Sequence, residues 1–142
     1  MDDELFFDYG ENSIVHDANT HHKAEKDFAT LIAWEKAREV KLFFYKIVLP
    51  KLPQEEKFNL NIQIRKAAVS ATSNISEGYG RFHYQEGTQF YRISRDSLCE
   101  LKDHLINCLV WDYISMKVLD QGPNEIECAK CVLSGYINFV IK

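Results

Sequence analysis

The chain has 142 residues, 46% hydrophobic and 27% charged, and a formal net charge of −4. These values fit one domain with a hydrophobic core of its own, exclude wholesale disorder, and leave no run approaching the roughly 18 apolar residues of a membrane span. The opening MDDELFFDYGE lacks the basic and apolar regions of a secretory signal, so a cytoplasmic location is expected.

Charge is unevenly divided. Residues 1–27 hold eight acids against Lys23 and Lys26, a balance of −6, which leaves +2 on residues 28–142. The first segment has no sustained periodicity and reads as an acidic, flexible extension. Its Leu5, Phe6, Phe7 and Tyr9 form an aromatic cluster that could dock on the chain itself, on a neighbouring subunit or on another protein. Overall acidity argues against general nucleic-acid affinity, although the body alone is slightly basic.

From 28 to about 49 the absence of Gly and Pro predicts a long first helix, whose Leu31, Trp34, Ala37, Val40, Phe43, Phe44, Ile47 and Val48 cover more than one stripe. Pro50 and Pro53 mark a turn, and Pro53 followed by Gln54, Glu55 and Glu56 is a good helix start. The second helix runs to Ser76 or Glu77, with Gly78 and Gly80 supplying the backbone freedom to end it.

Two seams run along that second helix. Leu60, Ile64, Ala68, Ala71 and Ile75 suit burial within the subunit. Gln63, Ala67, Ser70, Asn74, Glu77 and Arg81 follow at spacings of four and three, a polar line with the rhythm of a packing interface. The first five of these are the candidate subunit interface.

A third helix over roughly 85–113 carries Phe90, Ile93, Leu98, Leu101, Leu105 and Leu109, with small Ser94 and Ser97 between them. After a turn at Asp120, Gln121, Gly122 and Pro123, a fourth helix spans about 124–141. No segment alternates like a strand. Short connections make the chain all-α, an antiparallel up-down four-helix bundle over 28–142.

Pro53, Glu55, Leu60, Gln63, Ile64, Arg65, Lys66, Ala67, Ala68, Ser70, Asn74, Ile75, Glu77, Gly78, Gly80 and Arg81 together resemble the 23S rRNA intervening-sequence protein family. Trp34, Glu35, Lys36, Ala37, Phe90, Ser97, Leu98, Glu100 and Leu101 support the match, which covers roughly 28–141. The resemblance implies a bundle assembled as a ring, commonly a homopentamer, with no established enzymatic activity. Related proteins include the accessory subunit of diversity-generating retroelements, which looks like a basic barrel engaging nucleic acid and a reverse transcriptase. This chain departs from that relative in its acidity and its extension, and has Asp96 where the family's third helix usually has glycine. The departures weigh on nucleic-acid binding more than on the fold.

The leading expectation is therefore a non-enzymatic oligomeric scaffold, a pentameric ring in which surfaces of the second and first helices make the contacts, and the alternative is an accessory protein acting with RNA, DNA or a reverse transcriptase. For the alternative, the candidate contacts are Arg65, Lys66, Arg81, Arg92 and Arg95, with Tyr79, Phe82, His83, Tyr84 and Tyr91 available to stack on bases. Glu100 is a plausible partner for Arg65, and Arg81 fits a structural cluster with Asn74 and Glu77 better than a phosphate.

Catalysis has little support. Ser70, Ser73, Ser76, Ser94 and Ser97 lack a convincing histidine base, His104 stands alone, and no phosphate loop is present. No cofactor is expected. Cys99, Cys108, Cys128 and Cys131 lie in helical segments and read as free buried thiols. Cys128 and Cys131 form a lone CxxC with no second pair for zinc, and tail histidines His16, His21 and His22 read as solvated.

Overall fold

Residue 28 and residues 31–81, 84–120 and 122–141 are described by a computed structural model. The extension at 1–27, its aromatic cluster and tail histidines, and Phe82 and His83 lie outside the described residues. Four long helices carry the rest: α1 (Ile32–Phe43), α2 (Leu60–Tyr79), α3 (Tyr84–Val110) and α4 (Gly122–Ile141), with one short helical turn at Met116–Leu119. No strand occurs among the described residues.

The register of the helices is set by small residues and a few polar bridges. Ser94 and Ser97 of α3 reach Ala71 and Ser70 of α2, and Gly87 lies against Gly78, so numbers rise on one helix as they fall on the other. The α3–α4 pair behaves likewise through Tyr91 with Tyr136, Arg95 with Ser134 and Lys102 with Glu127. Gly122, at the start of α4, lies against Phe43 at the end of α1. Each helix thus packs antiparallel to its two neighbours around one bundle. Phe44, Ile64, Ile75, Leu98, Leu101, Leu105, Ile126 and Leu133 fill the middle without solvent exposure.

The first helix does not run unbroken to residue 49. Pro50 has no N–H to continue the ladder, and the Leu49 amide bonds the Phe44 carbonyl across a π-helical turn, Phe44–Val48, followed by a 3-10 turn, Leu49–Lys51. The wider turn absorbs an extra residue, so Phe43, Phe44, Val48 and Leu49 all stay buried.

Gly78 and Gly80 do not end α2 through left-handed backbone, since no described glycine has positive φ. Gly78 is needed for space. A Cβ there would stand 2.7 Å from Tyr91 Cε1 and 2.8 Å from the Gly87 carbonyl oxygen, and a Cβ on Gly87 would stand 2.7 Å from the Gly78 carbonyl oxygen. Close approach of α2 and α3 at this crossing excludes any side chain at either position. The third helix stops at Val110, ahead of the expected 113, because Asp112 takes a φ of 61°. The Tyr113 amide then bonds Cys108 O and the Asp112 amide bonds Leu109 O, a Schellman closure built on aspartate instead of glycine.

Candidate functional site

The polar seam of α2 packs, along its middle, on α3 of the same chain. Ala67 is buried there, the Ser97 hydroxyl donates to Ser70 Oγ at 2.7 Å, and Asn74 Nδ2 donates to Ser70 Oγ at 2.8 Å and to its carbonyl at 3.0 Å. Ser70 and Asn74 are half-buried, while Gln63 and Glu77 are exposed. Glu77 holds Arg81 at 3.2 Å. The middle of the seam therefore has an intrachain partner, and the exposed side chains beside it on α2 include Ile62, Lys66, Val69 and Ser73.

The five candidate nucleic-acid contacts do not gather into one patch. Arg81 folds onto Glu77 and over the Phe90 ring, 4.6 Å from its centroid, while Asn74, the third member of the expected cluster, bonds Ser70 instead. Arg95 bridges to Ser134 at 3.3 Å on the α3–α4 side, where Arg92 is also exposed. Arg65 and Lys66 lie on α2. Glu100 is not the partner of Arg65: it faces His104 at 3.2 Å, whereas Arg65 Nε donates to Asn61 at 2.7 Å and its guanidinium covers Tyr45 at 5.2 Å. The reason is helix phase, which turns Arg65 towards α1 and Glu100 away from it.

That turn builds a face between the first two helices whose particular residues sequence reasoning did not find. On α1 and the π-helical turn that follows it, Trp34, Arg38, Lys41 and Tyr45 recur at spacings of four, three and four, and Arg38 lies over the Trp34 ring at 5.8 Å. On α2, Asn61, Arg65, Val69, Thr72 and Ser76 form the facing line, with Ile62 and Lys66 beside it. Neither line contains an acid. Burial, and secondarily the charge of Arg38, hold the Lys41 pKa below its ordinary value, as expected where cations crowd a partly dry surface. Stacked guanidinium groups beside exposed aliphatic side chains can bind a protein surface or an unstacked nucleic-acid strand. The missed signal was the heptad spacing of Trp34, Arg38, Lys41 and Tyr45, which marks one side of a helix as clearly as the α2 seam does.

The thiols also correct an expectation. Only Cys108 is buried; Cys99, Cys128 and Cys131 are exposed, because the buried phase of α4 runs through Ile126, Ala129 and Leu133 and turns both CxxC sulfurs outward. No cluster of three or more potential metal ligands occurs among the described residues. Burial, then the nearby Glu56 carboxylate, pushes the Cys108 thiol from 9.0 up to about 11. Three thiols should react rapidly with an aromatic disulfide reagent under native conditions, and the fourth only on unfolding. The folded chain keeps the Cys108 proton longer than the unfolded chain, so this contribution to stability is complete below pH 9.0 and fades as pH rises through about 11. A Cys108→Ala variant should show a shallower alkaline decline in melting temperature; an identical decline would contradict the assignment.

The serines spend their hydroxyls on structure: Ser94 on Ala71 O, Ser97 on Ser70, Ser76 on Ser73 O. Among the described residues no helix is long and apolar enough to cross a membrane. The described residues make up an all-helical bundle protein. The model of the 23S rRNA-intervening sequence protein family matches residues 29–135, and the chain belongs to that family. No curated protein matches the chain.

Proposed function

We propose that the protein is a non-enzymatic scaffold that assembles into a homopentameric ring, with surfaces of α1 and α2 making the subunit contacts. One observation carries the reading. The α1–α2 face exposes apolar side chains, including Val69 at 44%, among arginines already ordered on Trp34 and Tyr45. Tryptophan, tyrosine and arginine are the residue types that dominate the energetics of protein contacts, and ordering them in advance lowers the entropy cost of docking. Family membership supports the same reading. Val69→Asp adds a charge at an exposed position, so helix content should hold while the mass falls to that of one chain. A Val69→Asp variant that keeps the wild-type mass would remove this face from the interface.

The second reading, an RNA- or DNA-binding accessory protein, draws on the same acid-free face with its two aromatic rings. It predicts that the chain lacking residues 1–27 binds RNA more tightly than the full chain, with a steeper salt dependence. No binding by either form at low salt rejects it.

A further inference from the structure

A cationic face that joins copies of one chain needs an acidic surface elsewhere on that chain. Such a surface lies on α3, where Asp96, Glu100 and Asp103 follow at spacings of four and three and are all exposed. Exposed Ile93 and Ile106 accompany them, as Ile62 and Val69 accompany the cations of the α1–α2 face. We propose that, in the ring, the cationic α1–α2 face of one copy docks on the acidic stripe of α3 of the next copy. The proposal rests on the ring reading above.

Symmetry argues for this pairing. A two-fold dimer through the α1–α2 face would set each cation line against its own copy, which repels. Contact between two different faces of the chain avoids that repulsion, and it propagates head to tail until a rotation closes the ring. In a ring whose axis runs along the bundle, every residue recurs at the same height in each copy.

Heights can be read from the registers already described. Arg65 over Tyr45 aligns α1 with α2, so Arg38 lies level with Thr72 and Lys41 with Val69. Ser70 with Ser97 and Ala71 with Ser94 align α2 with α3. Asp96 then falls level with residues 69–71, Glu100 with residues 65–67, and Asp103 within about one helical turn, ~5.4 Å, of Arg65. Arg38 and Lys41 of one copy come level with Asp96 of the next, and Arg65 and Lys66 with Glu100 and Asp103. The carboxylates' present partners are neighbours on their own helix, His104 for Glu100 and Asn107 for Asp103, and leave these acids exposed to an incoming face.

The test reverses each face separately and then both together in the full chain, with mass read by light scattering and folding by circular dichroism. Arg65→Glu with Lys66→Glu, or Glu100→Lys with Asp103→Lys, should reduce the mass about five-fold, towards 16.6 kDa, with helix content unchanged. Combining all four restores opposite charges across the contact and should recover the wild-type mass. One-face variants that keep the wild-type mass overturn the pairing while leaving the ring intact, and a four-fold variant that stays monomeric but helical also overturns it. Wild-type protein at 16.6 kDa would instead remove the ring itself. One-face variants that retain the mass but lose RNA affinity would assign the α1–α2 face to nucleic acid and overturn the proposal.

Discussion

Phe44→Ala is expected to lower the free energy of unfolding by about 3–5 kcal/mol, the range for removing a fully buried aromatic ring. Phe44 has no exposed surface, meets Phe43 edge-on at 5.4 Å between ring centroids, and opens the π-helical turn that ends α1. The turn keeps Phe43, Phe44, Val48 and Leu49 in the core together, so neighbouring side chains cannot refill the void without undoing it. A cavity cost at the upper part of the range follows. Phe58→Ala, in the connection after α1 where the ring is 76% exposed, should change stability by no more than about 0.5 kcal/mol. Urea unfolding of the two variants provides the comparison. Equal losses would mean that the π turn does not anchor the core.

The crossing of α2 and α3 should be nearly as sensitive. Gly78→Ala and Gly87→Ala each gain up to about 1 kcal/mol of helix propensity, because alanine is the better helix former. Each also drives a methyl group against the backbone carbonyl of the facing glycine, and Gly78→Ala strikes Tyr91 as well. Backbone atoms cannot rotate aside as a flexible side chain would, so overpacking of about 1–3 kcal/mol should outweigh the propensity gain. The two substitutions act on one contact. Once the helices have separated for the first methyl group the second costs less, and the double variant should fall short of the summed single losses. Gly135→Ala, with nothing within 4 Å of the added methyl group on α4, should be neutral or stabilising and serves as the control. Single variants at or above wild-type stability would show that the crossing is looser than described.

Helix number and order were legible because long apolar periodicities act locally, but the start expected at Pro53 gives only a 3-10 turn, Gln54–Glu56, with α2 beginning at Leu60, and α4 already begins at Gly122. The limits failed where a local rule met an exception. Pro50 displaced a hydrogen bond and produced the π turn, and Asp112 took a left-handed conformation that usually signals glycine. The Gln63 to Glu77 seam was legible as a packing line but not as to its partner, since contacts within a chain and between chains obey the same spacing rules. Ala67 is buried and Ser70 bonds Ser97 on α3 of its own chain, so neither is a clean probe of assembly. The residues of the α1–α2 face stayed hidden because its halves lie on separate helices, with Tyr45 and Arg65 20 residues apart and Arg38 and Thr72 34. The face exists only once helix phase brings Tyr45 beneath Arg65. The buried-thiol expectation followed residue type alone, whereas the phase of α4 already turned Cys128 and Cys131 outward.

Native mass spectrometry of the full chain tests the proposed ring of five copies. A ring gives one dominant species near five times 16.6 kDa, about 83 kDa, persisting on dilution to low micromolar concentration. A spectrum dominated by the 16.6 kDa chain, or by its dimer, would contradict it.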